Sequence, residues 1–219
     1  MRVLLFDLDD TLVPSSKSYD VAMQVIGVDP SDPLYLQARS EVKTACPKGY
    51  PASRSRRLYF KRFLELQGEF SPRRYLELVT GYEAKVASYL GQAWQELERP
   101  RLFSQLTDKV DKIGLVSNET TFMQSAKLSQ MDPEWNHFDF ILTSEEVGCE
   151  KPDLRIFQRA LDIVKATSGE CLCVGDNFAC DIAAPISLGM RAIQTLEFFQ
   201  DVSRHHETVF KLDELTQAF

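Results

Sequence analysis

Two aspartates two residues apart close an apolar run near the start of the chain, Leu4-Leu5-Phe6-Asp7-Leu8-Asp9-Asp10-Thr11-Leu12. Residues i and i+2 of a strand share a face, so Asp7 and Asp9 converge where such a strand runs out. Two close anions repel unless a cation, a shared proton or a catalytic task holds them together. One aspartate carboxylate in that setting can attack phosphorus or carbon. A second can give a proton to the leaving group and later take one from water. Helix capping explains Asp10 or Thr11, but not two carboxylates at a strand end.

Three further clusters follow apolar runs. Ser117-Asn118-Glu119-Thr120 succeeds Ile113 to Val116. A serine at a strand end, beside the free amides of a starting helix, forms an anion site for a phosphoryl group; ordinary capping by Ser117 or Asn118 is the alternative. In Glu150-Lys151-Pro152-Asp153, Lys151 precedes a helix with Pro152 expected in its first turn. An ammonium there can hold the nucleophile's carboxylate and neutralise phosphoryl oxygens, where a surface loop would leave it solvated. Gly175-Asp176-Asn177-Phe178-Ala179-Cys180-Asp181 follows Cys171 to Val174, the glycine permitting a tight turn. Oxygen-only ligands without a nearby histidine point to Mg²⁺ rather than zinc, and Asp181 also suits the N-terminal charge of the next helix. In open parallel sheets, ligands bind beyond the carboxyl ends of the strands, so these distant clusters can meet in one crevice.

The elements that must position them read as an α/β chain with a helical insertion. Short apolar runs at Val3 to Phe6, Ile113 to Val116, Phe138 to Leu142, Cys171 to Val174 and Arg191 to Gln194 predict buried parallel strands. Helical periodicity over 120–130, 153–166 and 179–188 separates the later ones, with Gly189 at a helix C-terminus. Residues 15–100 differ: Pro30, Pro33, Pro47 and Pro51 punctuate the first part, and amphipathic stretches follow at 53–67, 72–90 and 92–107. We therefore expect a core at 1–14 and 101–219 and an all-helical module at 15–100. His205-His206 suggests an exposed turn.

The 219 residues can bury a full core, and 44% hydrophobic and 26% charged residues suit an ordinary soluble globular protein. A formal net charge of −7 argues against general nucleic-acid binding. Neither a spanning apolar run nor a signal-peptide pattern is evident, so no membrane partner is expected. Five irregularly spaced cysteines suit a reducing compartment, with the cytoplasm as the default address. Cys171 and Cys173 read as small buried hydrophobes. Arg54, Arg56 and Arg57 form a basic cluster, read as a solvated or carboxylate-paired face, with substrate steering as the alternative. Tyr59 and Tyr82 could join them at an entrance, though each is expected to be structural. Oligomeric state is not legible.

The ordered set Asp7, Asp9, Thr11, Ser117, Lys151, Asp176 and Asp181 resembles the motifs of the haloacid dehalogenase-like hydrolase superfamily, mostly Mg²⁺-dependent phosphatases. The resemblance implies a Rossmann-like parallel sheet with helices on both faces, and a helical type-1 cap that excludes water and reads the substrate. It implies that Asp7 is the nucleophile forming an aspartyl-phosphate and Asp9 the general acid/base, with Lys151 as charge clamp. Thr11, Ser117, Asn118 and Lys151 would meet the substrate. Mg²⁺ would sit on Asp7, the backbone carbonyl of Asp9 and Asp176, with Asp181 on the ion or just behind it. The true dehalogenases of this superfamily lack an aspartate at the position of Asp9, and phosphonate-cleaving members replace it too, so Asp9 favours phosphoester hydrolysis of a small phosphorylated metabolite. Sugar phosphomutases keep both aspartates and stay open as an alternative, as does a catalytically idle binding protein. Pro185, early in the helix after Asp181, departs from the family pattern.

Overall fold

Runs of buried, mostly apolar residues become the strands of one sheet. The structure, a computed structural model, describes residues 2–47, 49–199 and 207–218; His205-His206 lies outside them. The strands are β1 (Val3–Phe6), β2 (Lys112–Ser117), β3 (Phe140–Thr143), β4 (Cys171–Gly175), β5 (Arg191–Thr195) and β6 (Thr208–Val209). They form a sheet ordered β3-β2-β1-β4-β5-β6, and every neighbouring pair is parallel. The fold is Rossmann-like α/β. Its register aligns Phe6 with both Leu115 and Val174, so β1 ends between β2 and β4 at the point where the strand order reverses.

Period-two alternation divides β1 between two hydrophobic cores. Leu4 and Phe6 face one, with Phe103, Ile113 and Leu115; Val3 and Leu5 face the other, with Ile156, Phe157, Cys171 and Cys173. Cys171 and Cys173 are buried free thiols, as their strand position implies. β3 begins two residues later than the apolar run suggests, because the Asp139 carboxylate takes the Ile113 amide at 2.8 Å.

Between β1 and β2 the described residues hold helices, turns and one isolated bridge between Asp9 and Val13. The helices are α1 (Ser15–Val25), α2 (Pro33–Ala45), α3 (Arg56–Gln67), α4 (Pro72–Glu96) and α5 (Arg99–Thr107). Asp32 and Ser71 cap α2 and α4, and left-handed Gly68 ends α3. The expected stretches 72–90 and 92–107 divide differently. α4 runs on to Glu96, and Pro100, at a favoured first-turn position, starts α5 only after the break at Leu97 and Glu98.

The remaining helices are α6 (Thr121–Met131), α7 (Ser144–Val147), α8 (Leu154–Val164) and α9 (Ala184–Ser187). Pro152 falls outside α8, whose N-cap is Asp153, accepting from the Arg155 amide. The expected helix at 179–188 is instead a π-helical stretch, Phe178–Ala183, running into α9. Pro185 has no N–H to return to the residue four before it, Asp181, and the ladder opens there. Gly189 closes α9 at φ +84°. No helix among the described residues is long and apolar enough to cross a membrane.

Candidate active site

Register delivers the four clusters to one place. Asp7 leaves β1 with its amide on the Val174 carbonyl at 2.9 Å. Ser117 ends β2, and Asp176 follows β4. All three line a cavity of about 270 Å³ with Asp9, Asn118, Lys151 and Asp181.

Lys151, only 4% exposed, is the centre of charge. Its Nζ donates to Asp7 Oδ1 at 2.7 Å, Asp181 Oδ1 at 2.6 Å and the Val116 carbonyl at 2.8 Å. Those acceptors occupy all three ammonium hydrogens, so in this arrangement Lys151 acts on a phosphoryl group by its charge. Its backbone is held too, since Asn118 Nδ2 donates to its carbonyl at 2.8 Å and its amide donates to Asn118 Oδ1 at 2.6 Å. The Asn118 side chain is thereby engaged in placing Lys151. Thr11 is likewise committed internally. Its hydroxyl accepts from the Asp176 amide at 3.0 Å and lies 3.3 Å from Asp7 Oδ2 and 3.2 Å from Asp176 Oδ1. Ser117 Oγ accepts from Gln124 Nε2 at 2.5 Å, which leaves its O–H to donate.

Asp7, Asp176 and Asp181 each bring a carboxylate oxygen within 4.8 Å of the others. An all-oxygen set of this compactness fits Mg²⁺. Burial, then the neighbouring carboxylates, push the Asp7 carboxyl up against the pull of Lys151. Burial and Asp181 raise Asp176 to about 6. Such a cluster calls for a cation. Gly175 serves it through space, not through a special turn: a Cβ there would lie 2.3 Å from the Asp181 Cβ.

Asp9 faces a different set of partners. Lys127 and Ser15 donate to its Oδ1, as does the Tyr19 hydroxyl at 3.2 Å, while Gln124 Nε2 donates to Oδ2 at 2.8 Å. Lys127 also donates to the Tyr19 hydroxyl at 2.9 Å. Burial pushes the Asp9 carboxyl up, but the Lys127 ammonium and the bonds from Lys127, Ser15 and Gln124 outweigh it and hold the group below the usual range. Sequence reasoning misses Ser15, Tyr19, Gln124 and Lys127. The available signal is the i, i+3 spacing of Gln124 and Lys127 on α6 beside the buried Met123 and Leu128. Asp10 has left the chemistry: at φ +58° it accepts from the Ser16 amide at 2.9 Å and so caps α1 from outside.

The sequence matches the haloacid dehalogenase-like hydrolase family over residues 1–189. The chain belongs to this family. It is 32% identical over 201 residues to a ribulose-1,5-bisphosphate 5-phosphatase of Halopiger xanaduensis, covering 87% of this chain and 82% of that protein. A glyceraldehyde 3-phosphate phosphatase of Methanocaldococcus jannaschii is 28% identical over 210 residues, covering 90% and 86%. The fold of a 2-haloacid dehalogenase from Pseudomonas syringae superposes with a TM-score of 0.73 at 24% identity, covering 99% and 97%. The haloacid dehalogenase-like chain is thus a hydrolase with named phosphatases among its relatives, on a fold that dehalogenases share.

Proposed function

We propose that the chain is a Mg²⁺-dependent phosphatase that hydrolyses a small phosphorylated sugar through an aspartyl-phosphate. The observation that carries this reading is Lys151 bridging Asp7 and Asp181, with Asp176 closing a compact carboxylate cluster at the switch point of the sheet. The activities named for the relatives from Halopiger and Methanocaldococcus, both on phosphorylated sugars, support the substrate class.

Asp7, Asp176, Asp181 and the Asp9 backbone carbonyl would hold Mg²⁺, which supplies positive charge to offset the carboxylates and the phosphoryl oxygens. Lys151 and Thr11 orient the Asp7 carboxylate. An Asp7 oxygen attacks phosphorus; the bond to the leaving oxygen breaks, and that oxygen takes a proton from Asp9. Asp9, again a carboxylate, then takes a proton from water as the water oxygen attacks phosphorus. The acyl–phosphate bond breaks, releasing phosphate and restoring Asp7. Ser117 donates to a phosphoryl oxygen, and Lys151 offsets its charge. We assign the core to 1–14 and 101–219 and the cap to 15–100. The break at Leu97 and Glu98 lies near the second boundary.

Hydrolysis of 4-nitrophenyl phosphate, with and without EDTA, tests the reading. Activity should need Mg²⁺, and Asp7→Asn should lose about 10³-fold or more in kcat, since no attacking carboxylate remains. Unchanged turnover in Asp7→Asn removes the nucleophile assignment, and no hydrolysis across a panel of phosphate esters removes the phosphatase.

A further inference from the structure

Three arginines at and just before the start of α3 meet different fates. Arg54 Nε pairs with Glu150 at 2.8 Å. Arg57 holds Glu83 through two bonds, at 2.6 and 2.9 Å, and lies 3.9 Å from the centre of the Phe122 ring. Arg56 has no carboxylate within ion-pair distance among the described residues. Its guanidinium lies 4.8 Å from the centre of the Tyr19 ring and 5.9 Å from that of Tyr59, and it donates to the Arg54 carbonyl at 3.2 Å. Aromatic faces hold the plane of a guanidinium while its N–H edge stays available for a forked anion contact.

Arg56 also occupies a particular place. With Tyr19 and Glu119 it lines both the catalytic cavity and a second cavity of about 160 Å³ at the seam between α3, α4 and α6. In that second cavity Tyr82, 1% exposed, carries a hydroxyl with no partner. A buried hydroxyl without a partner is costly unless something supplies one. Within the catalytic cavity, Lys151 and Arg54 are already in direct ion pairs, whereas Arg56 is in none among the described residues and feels the Glu119 carboxylate only through space.

We propose that Arg56 and Tyr82 form a second subsite that takes a second anionic group of the substrate, at the end remote from the phosphoryl group held over Asp7. The subsite rests on the phosphatase reading and narrows it to sugar phosphates that carry a second anionic group. The second anion is a phosphate or a carboxylate, either of which accepts the arginine fork. Arg56 positions the substrate by charge and Tyr82 adds one hydrogen bond, so the subsite acts on binding and leaves the bond-breaking step to Asp7 and Asp9.

Five probes decide it in the presence of Mg²⁺: 4-nitrophenyl phosphate, ribulose 5-phosphate against ribulose 1,5-bisphosphate, and glycerol 3-phosphate against 3-phosphoglycerate. The wild type should favour the member with two anionic groups in at least one sugar or glycerol pair by about tenfold or more in kcat/KM. The pair that responds identifies the anion. Arg56→Gln should cancel that preference, chiefly through KM, while Arg56→Lys retains part of it and Tyr82→Phe loses a few-fold. Because each ratio is taken within one variant, a partly misfolded preparation does not imitate the result. A preference that survives Arg56→Gln overturns the subsite, as does 4-nitrophenyl phosphate hydrolysis with no preference in either pair. Failure to hydrolyse any of the five overturns the phosphatase reading and the subsite with it.

Discussion

Lys127 reaches the Asp9 carboxylate from α6 with its own side chain fully buried, and this contact decides which half of an acid/base role Asp9 is ready to perform. Held below the usual carboxylate range, Asp9 stands ionised, as a base that accepts the proton of water. To donate a proton to a leaving oxygen it must first part from the ammonium and take up a proton. With Lys127→Gln the balance reverses, because burial then dominates and the Asp9 pKa rises. An aryl phosphate needs little leaving-group protonation, so its kcat reports the base role, and activity is lost as pH falls through the Asp9 pKa. We expect the acid limb of that profile to move up by about one unit or more in Lys127→Gln; an unmoved limb would show that Lys127 does not set this group. At this scale the acidic residues and Lys151 were legible because their types announce charge chemistry. Gln124 and Lys127 were not, since a polar pair at helical spacing ordinarily faces solvent and only tertiary packing turns it inward.

Among the elements, the 25-residue helix α4 joins the inserted helices to the sheet. Trp94 near its end packs 5.1 Å from Phe103 of α5, which in turn lies 5.3 Å from Phe6 of β1. Gly91 lets α4 approach α6 closely: a Cβ there would lie 2.8 Å from the Gln130 carbonyl oxygen. Gly91→Ala gains helix propensity of about 1 kcal/mol but forces backbone apart, at a cost of about 1–3 kcal/mol for overpacking. We expect a net fall in Tm of a few degrees for a chain of this size, together with weaker activity, because α6 carries both Gln124 and Lys127. A Tm that rises would mean the two helices separate without penalty. Element type was readable from periodicity along most of the chain. Boundaries followed chemistry that periodicity does not carry, such as Pro100 starting α5, Asp153 rather than Pro152 opening α8, and Pro185 widening the turn around Asp181. The two-residue β6 was invisible for another reason: a strand that short has no alternation to read.

For the molecule as a whole, clustering the Asp7, Asp176 and Asp181 carboxylates, two of them on the Lys151 ammonium, makes the metal-free fold sensitive to pH. Burial raises Asp7 and Asp176, the latter to about 6, whereas both titrate near the ordinary aspartate value when unfolded. The folded state therefore binds more protons than the unfolded state above that ordinary value. The contribution of these two groups is fully present below it and is lost as pH rises, through about 6 for Asp176 and higher for Asp7. Mg²⁺ should reverse the loss, because it binds the ionised carboxylates and competes with their protons. Its stabilisation follows the ratio of free ion to Kd, about 2.7 kcal/mol at a hundredfold excess, which for this chain length corresponds to roughly 5–10 °C in Tm. We expect the Tm increment from a fixed Mg²⁺ concentration to be small at pH 5 and to grow towards pH 8, as followed by thermal unfolding with EDTA as reference. In Asp176→Asn the increment should shrink at every pH and its rise around pH 6 should flatten, since the group titrating there is gone. An increment equal at pH 5 and pH 8 would place Mg²⁺ away from these carboxylates, and with it the charge balance on which Asp7 depends as a nucleophile.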